Sequence, residues 1–416
     1  METEKICGLV GKTLRQSISP FVHSLFASYE YRLFPMDEKE LEKFFLEKNF
    51  GFVNVTVPYK KKVIKFCDSL TERASKIGAV NTIVNRNGVL VGENTDYIGF
   101  QFMLREKNID VRNRQVLVLG SGGTSLTARH ALSDMGAEDI TVVSRTGETN
   151  YQNVYDKFPD AEIIVNTTPV GMFPDNGNCP VDIKKFRNLY AAADVVYNPL
   201  KTEFMRLAEE AGAIFTGGLN MLVSQAVYSS AFYTGRNFSD GEVRSFVKKT
   251  LKYFTNLVFI GMPGCGKSRI GRACARMQGR KFIDTDREIL KETGKTAEEI
   301  IKTQGEKYFR EIEREAIKKA SLEKGCVISV GGGAVLDPEN IKELRRNGMI
   351  VFLSRDRENL SLKGRPLSES MGTKALEKER MPLYEKYSDF TIENAENRAK
   401  ETSEAVWRKF NENFDN

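Results

Sequence analysis

Two glycine-rich turns limit what this chain can fold into. Each follows a short apolar strand and opens a helical pattern. After Gln115-Val116-Leu117-Val118-Leu119 comes Gly120-Ser121-Gly122-Gly123, and after Asn256-Leu257-Val258-Phe259-Ile260 comes Gly261-Met262-Pro263-Gly264-Cys265-Gly266-Lys267-Ser268. Such a turn presents backbone N–H groups to phosphate at a helix N-terminus. Two turns so far apart imply two nucleotide sites in two domains. Further apolar runs at Ile140–Val143, Ile163–Val165, Val327–Val330 and Ile350–Leu353 alternate with helical patterns, which predicts parallel α/β sheets.

A chain of 416 residues has room for two to four domains. Its 41% hydrophobic and 28% charged residues exclude a disordered chain. The formal charge of +6 is mild for this length and suits anionic small molecules. The densest basic run is only Lys60-Lys61-Lys62, so no nucleic-acid partner is expected. Six cysteines form no CxxC pair, and two histidines give no zinc-ligand spacing. The N-terminus runs from an acidic start into a strand at Ile6–Val10, and no apolar run reaches the ~20 residues of a membrane span. A cytoplasmic protein with no membrane partner is expected. Ser239–Tyr253 reads as a helix capped by Ser239 or Asp240, and a strand starts at Asn256, so the boundary is expected near residue 254 with almost no linker.

In the first half, the strand after the Gly120 turn ends in Ser144-Arg145-Thr146. An NAD site would place an acidic residue there; a guanidinium and two hydroxyls suit the 2′-phosphate of NADP. Three upstream segments are polar where a plain core strand would not be: Ser17-Ile18-Ser19-Pro20, Asn54-Val55-Thr56-Val57-Pro58-Tyr59-Lys60, and Asn94-Thr95-Asp96 with Gly78–Thr82 before it. Singly, each is ordinary turn chemistry.

Together, and in this order, they resemble the shikimate dehydrogenases from about Ile6 to about Tyr253. The resemblance extends to Asn166–Met172 and Gly217–Gln225. It implies a substrate domain over residues 1–100, completed by a returning segment 219–253, and a Rossmann NADP domain over 101–218. It makes Lys60 and Asp96 the catalytic pair. It assigns substrate contacts to Ser17, Ser19, Thr56, Asn81, Tyr197 and Gln225. Cofactor contacts fall to Gly120, Ser121, Gly122, Gly123, Ser144, Arg145, Thr146, Gly218 and Met221. Two departures stand out: Lys12-Thr13-Leu14-Arg15-Gln16 replaces the Asn-Pro-Ile and His that many members carry, and Ser144 replaces a commoner asparagine.

In the second half, Gly261–Ser268 fits GxxxxGK[ST] between strand and helix. Gly264 and Gly266 belong to a loop whose amides cradle phosphates, Lys267 would reach the β and γ oxygens of ATP, and Ser268 would hold Mg²⁺. Asp284 and Asp286 end the next strand. Arg310 and Glu313 share a helical pattern, Gly331-Gly332-Gly333 follows a strand, and Arg365 and Arg380 come later. Two arginines and a glycine triplet around a small pocket suit a carboxylated substrate.

This constellation resembles the shikimate kinases from about Asn256 to about Glu393 and implies a P-loop kinase domain over 254–416. By that resemblance Asp284 helps hold Mg²⁺ and Asp286 meets the ring hydroxyls as base. Arg310, Gly332, Gly333 and Arg380 hold the substrate, Glu313 orients Arg310, and Arg365 reaches ATP phosphates from a lid at Glu358–Lys374. The lid lacks the early arginine that stacks on adenine in the family. Together the two resemblances imply reduction of 3-dehydroshikimate to shikimate with NADPH and its phosphorylation with ATP and Mg²⁺. A ligand-sensing regulator built from the same domains would not need Lys60, Asp96, Lys267 and Asp284 all intact. An NAD-dependent quinate/shikimate dehydrogenase would not carry Arg145. Each motif set is uninterrupted, so a cut near residue 254 is expected to leave two competent halves.

Overall fold

The structure, a computed structural model, describes residues 6–15, 17–356, 373–394 and 398–415. The chain divides into two compact units, Met1–Thr250 and Leu251–Asn416.

The first unit holds two sheets. One contains β1 (Cys7–Gly11), β2 (Tyr31–Pro35), β3 (Phe52–Val55), β4 (Ser69–Leu70), β5 (Thr82–Arg86) and β6 (Val89–Glu93), in the order β2-β1-β3-β5-β6-β4. β1 runs parallel to β2 and β3, whereas β5 is antiparallel to β3 and β6. The β5–β6 hairpin turns through Asn87 and Gly88 at φ 53° and 91°, the left-handed pair that a two-residue hairpin favours.

The other sheet is parallel: β7 (Gln115–Leu119), β8 (Asp139–Val143), β9 (Ile163–Asn166), β10 (Ala191–Asp194) and β11 (Ile214–Thr216), in the order β11-β10-β9-β7-β8. Alternate residues of β7 feed separate cores, Val116 and Val118 one, Leu117 and Leu119 the other. That two-residue period explains why a strand covered on both faces reads as an unbroken apolar run. The chain leaves β7 first for β8 on one side and then for β9 on the other. The carboxyl ends of β7 and β9 therefore flank a topological switch point, where ligands of such sheets bind. Helices Thr95–Arg105 and Leu219–Thr234 pack closely together. A methyl at Gly99 would come 2.7 Å from the Met221 carbonyl oxygen, so glycine permits the approach.

The second unit has one parallel sheet: β12 (Asn256–Ile260), β13 (Phe282–Asp284), β14 (Val327–Ser329), β15 (Gly348–Ser354) and β16 (Phe390–Glu393), in the order β13-β14-β12-β15-β16. β12 alternates as β7 does. Val258 and Ile260 pack with Ile317 and Leu344, and Leu257 and Phe259 with Ile270 and Trp407. The predicted boundary helix spans Asp240–Phe254. Ser239 Oγ accepts from the Glu242 amide at 3.3 Å, and the Glu242 carboxylate accepts from the Ser239 amide at 2.9 Å, a reciprocal cap. Its far end belongs to the second unit. The Arg280 guanidinium donates to the carbonyls of Thr255 at 2.7 Å and Lys252 at 2.8 Å, and lies 4.9 Å from the centroid of Trp407.

All six cysteines are free, four of them buried. Burial pushes the thiols of Cys67, Cys179 and Cys326 up to about 11 and that of Cys274 to about 12. Among the described residues, no helix is long and apolar enough to cross a membrane.

Candidate active sites

Lys60 lies just past the end of β3, and Asp96 sits in the first turn of the helix Thr95–Arg105. Asn94 caps that helix through its side chain, accepting from the Tyr97 amide at 3.1 Å. The two ends meet: Lys60 Nζ donates to Asp96 Oδ2 at 2.6 Å, with both side chains largely buried. The dinucleotide turn reaches the same place, because a methyl at Gly123 would lie 3.7 Å from Lys60 Cβ. Gly120 has φ 104°, and a methyl there would come 3.0 Å from Thr167 Oγ1, at the end of β9. A methyl at Gly122 would meet nothing within 4 Å. The helix Gly123–Asp134 has no side-chain cap, which leaves its first amides without a capping side chain on the side where Gly123 approaches the lysine.

Asn81 and Gln225 join this centre. Asn81 Nδ2 donates to Thr95 Oγ1 at 3.0 Å and to Gln225 Oε1 at 3.3 Å, and Asn81 Oδ1 accepts from the Thr95 amide at 2.7 Å. Thr56 follows β3 directly, its amide donating to Val10 at 3.0 Å. Ser17 Oγ donates to Ser19 Oγ at 3.1 Å; among the described residues no hydrogen bond ties this pair to Lys60. Tyr197 follows β10 half-buried, and burial pushes its phenol up to about 12, which keeps it a donor. Ser144 is half-buried beyond β8 with its amide on the Thr149 carbonyl, while Arg145 and Thr146 are exposed. Ser121 is exposed in the turn. Met221 packs in the core with Phe100 and Val118, and a methyl at Gly218 would overlap the Val195 carbonyl.

Sequence reasoning missed a buried polar layer in this unit. Tyr31 donates to Asn54 Oδ1 at 2.7 Å, Asn54 Nδ2 donates to Thr82 Oγ1 at 2.9 Å and Ser229 Oγ at 2.8 Å, and Ser229 meets Thr95 at 2.8 Å. Its one sequence signal is polarity where the pattern calls for apolar residues: Asn54 inside β3, and Ser229 one turn beyond Gln225.

In the second unit a cavity of about 510 Å³ is lined by the loop residues Gly264, Gly266, Lys267 and Ser268 and, further round, by Asp286, Arg310, Glu313, Gly331–Gly333, Arg355 and Arg380. Lys267 Nζ donates to the carbonyls of Gly261 at 2.8 Å and Met262 at 3.0 Å. Arg310 donates to Glu313 at 2.7 Å and Glu306 at 2.8 Å. Burial pushes the Glu313 carboxyl up, against the pull of Arg310. The glycine triplet forms a wall that side chains would obstruct. A methyl at Gly333 would overlap the Arg310 guanidinium, and one at Gly331 would lie 2.6 Å from Glu313 Oε1 and 3.2 Å from Asp286 Oδ1. Tyr384 donates to the Gly332 carbonyl at 2.5 Å. Arg380, only 3% exposed, adds a second guanidinium whose burial in a cavity wall favours an anionic guest. Asp284 ends β13, mostly buried, and its carboxylate makes no capping hydrogen bond to the following helix. Arg355 was not singled out from sequence. Arg365 and most of the expected lid lie outside the described residues.

Comparison with known proteins places both halves. Residues 9–83 match the shikimate dehydrogenase substrate-binding domain model, and residues 263–411 match the shikimate kinase model. A shikimate dehydrogenase (NADP(+)) of Caldanaerobacter subterraneus subsp. tengcongensis is 37% identical over 264 residues, which is 57% of this chain and 94% of the relative. Among solved structures, a chorismate mutase/shikimate 5-dehydrogenase fusion protein from Clostridium acetobutylicum is similar at 33% identity and a TM-score of 0.56, covering 60% of this chain and 97% of that one. The shikimate 5-dehydrogenase of Thermus thermophilus, solved in complex with NADP(H) and shikimate, is similar at 29% identity and a TM-score of 0.53, covering 59% of this chain and 99% of that one.

Proposed function

Because this chain belongs to the shikimate dehydrogenase family and carries a shikimate kinase domain behind its dehydrogenase half, we propose how its residues divide the work of a bifunctional shikimate-pathway enzyme. The chain reduces 3-dehydroshikimate with NADPH and phosphorylates shikimate with ATP. The observation that carries this reading is the presence of two polar centres in one chain: Lys60–Asp96 at a dinucleotide turn, and two arginines with a glycine triplet around a phosphate loop.

In the first centre NADPH supplies a hydride to the ketone carbon. Lys60 donates a proton to the carbonyl oxygen as it gains electrons, and Asp96 fixes the direction of the ammonium. Asn81 and Gln225, braced by Thr95, hold ring hydroxyls, with Ser17, Ser19, Thr56 and Tyr197 as the remaining contacts. Gly120–Gly123 receive the pyrophosphate, and Arg145 between Ser144 and Thr146 receives the 2′-phosphate. We assign residues 1–100 with 219–253 to substrate and 101–218 to NADP.

In the second centre Arg310 and Arg380 hold the substrate carboxylate against the Gly332–Gly333 wall. Asp286 takes the proton of the attacking hydroxyl, whose oxygen bonds to the γ-phosphorus as the bond to ADP breaks. Lys267 exchanges its two loop carbonyls for phosphate oxygens. The Ser268 hydroxyl and the Asp284 carboxylate, which makes no capping bond to its helix, are hard oxygen donors that suit Mg²⁺, which would offset phosphate charge. From about residue 254, with Arg365, the chain serves this reaction.

The test is one reaction vessel containing 3-dehydroshikimate, NADPH and ATP. NADPH should be consumed and ADP released in equal amounts, and omitting NADPH should stop ADP release. ADP release without NADPH, or NADPH loss without ADP release, would overturn the two-step reading.

A further inference from the structure

Asn394, directly after β16, was assigned no role by any motif. It is 2% exposed. Its Nδ2 donates to the carbonyl of Cys265 in the phosphate loop at 2.6 Å, and its own amide donates to the Ser354 carbonyl at 2.8 Å, which anchors the residue to the sheet. The contact is tight: a methyl at Gly266, which has φ 100°, would come 2.5 Å from Asn394 Nδ2. Asn394 Oδ1 is buried and has no hydrogen-bond partner among the described residues, so the amide engages the loop as a donor.

The peptide joining Cys265 to Gly266 is planar and trans, so its C=O and N–H point in opposite directions. Asn394 pins the carbonyl on the protein side, and the Gly266 N–H then faces the other way, where Gly264, Gly266, Lys267 and Ser268 line the cavity. We propose that Asn394 is a positioning residue for the kinase reaction, holding the Cys265–Gly266 peptide so that the Gly266 N–H is aimed at the nucleotide phosphates before they arrive. This deepens the kinase assignment and rests on it. A pre-aimed donor acts on bound ATP and on the transition state alike, so its loss appears in KM for ATP far more than in kcat.

The experiment uses the full chain with Asn394→Ala and Asn394→Asp, the latter isosteric but without the donor. Both should raise KM for ATP about tenfold or more, the range expected when one hydrogen bond to a charged group is lost. KM for shikimate and kcat should stay within about twofold. The chain's one tryptophan, Trp407, is buried in this unit, so its fluorescence reports whether a variant remains folded there. Binding of a fluorescent ADP analogue gives a second readout, expected to weaken in parallel. An unchanged KM for ATP in folded Asn394→Ala, or equal rises in KM for ATP and shikimate, would overturn the proposal. An unaltered chain that fails to bind ADP would instead sink the kinase assignment and this proposal with it.

Discussion

Lys60 and Lys267 give each centre a residue whose loss should silence one reaction and spare the other. Lys60→Ala removes the proton donor and should cut ketone reduction about 10²–10⁴-fold, with phosphorylation unchanged. Lys267→Ala should do the reverse. Both activities are read from the same preparation, and a Lys60→Ala enzyme within a few-fold of the original rate of reduction would exclude that lysine as donor. Arg145 stands exposed at the end of β8 and should discriminate between cofactors. Arg145→Ala should cost about 1.5–3 kcal/mol of NADPH binding, seen as a raised KM for NADPH and a nearly unchanged KM for NADH. Equal use of both cofactors by the unaltered enzyme would contradict this. These three residues were legible because they lie in short motifs whose chemistry is local. Ser229 and Asn394 were not. Their partners Asn54 and Cys265 lie 175 and 129 positions away, which no local pattern reveals.

At the scale of elements, the glycine turns were legible and the glycine wall only in part. The sequence shows a triplet after a strand but not what fills the space beside it. Arg310 does, so Gly333→Ala should push the guanidinium out of place. The expected outcome is a KM for shikimate raised at least tenfold in the kinase assay, with KM for ATP and all of the reductase activity intact. A shikimate KM within twofold of the original would show that the wall yields. The parallel strands β7 and β12 were equally legible, because both faces are covered and every position after the first, Gln115 or Asn256, is apolar. The two-residue β4 was not, since pairing with β6 alone defines it. Met221, one of the expected cofactor contacts, lies in the helix pair that Gly99 draws together.

For the whole molecule, a few residues decide where the chain is best cut. The second unit begins at Leu251, and Arg280 holds the carbonyls of Lys252 and Thr255 while the Gly325 amide donates to Phe254 at 2.9 Å. A kinase fragment starting at Asn256 loses all three acceptors, at about 1.5–3 kcal/mol for each bond from the guanidinium. Fragments 1–250 and 251–416 should therefore both be active, whereas a fragment starting at Asn256 should melt several degrees lower by Trp407 fluorescence. Equal melting temperatures for the two kinase fragments would mean that the last helical turn contributes nothing. The buried thiols bear on the chain in another way. Burial raises the thiols of Cys67, Cys179 and Cys326 to about 11, so these sulfurs hold far less thiolate at neutral pH than an exposed cysteine does. Reporter dyes that attack thiolates would thus favour a single cysteine introduced on the surface of either unit over these three native ones, which makes the protein a convenient subject for watching two consecutive catalysts in one molecule by fluorescence.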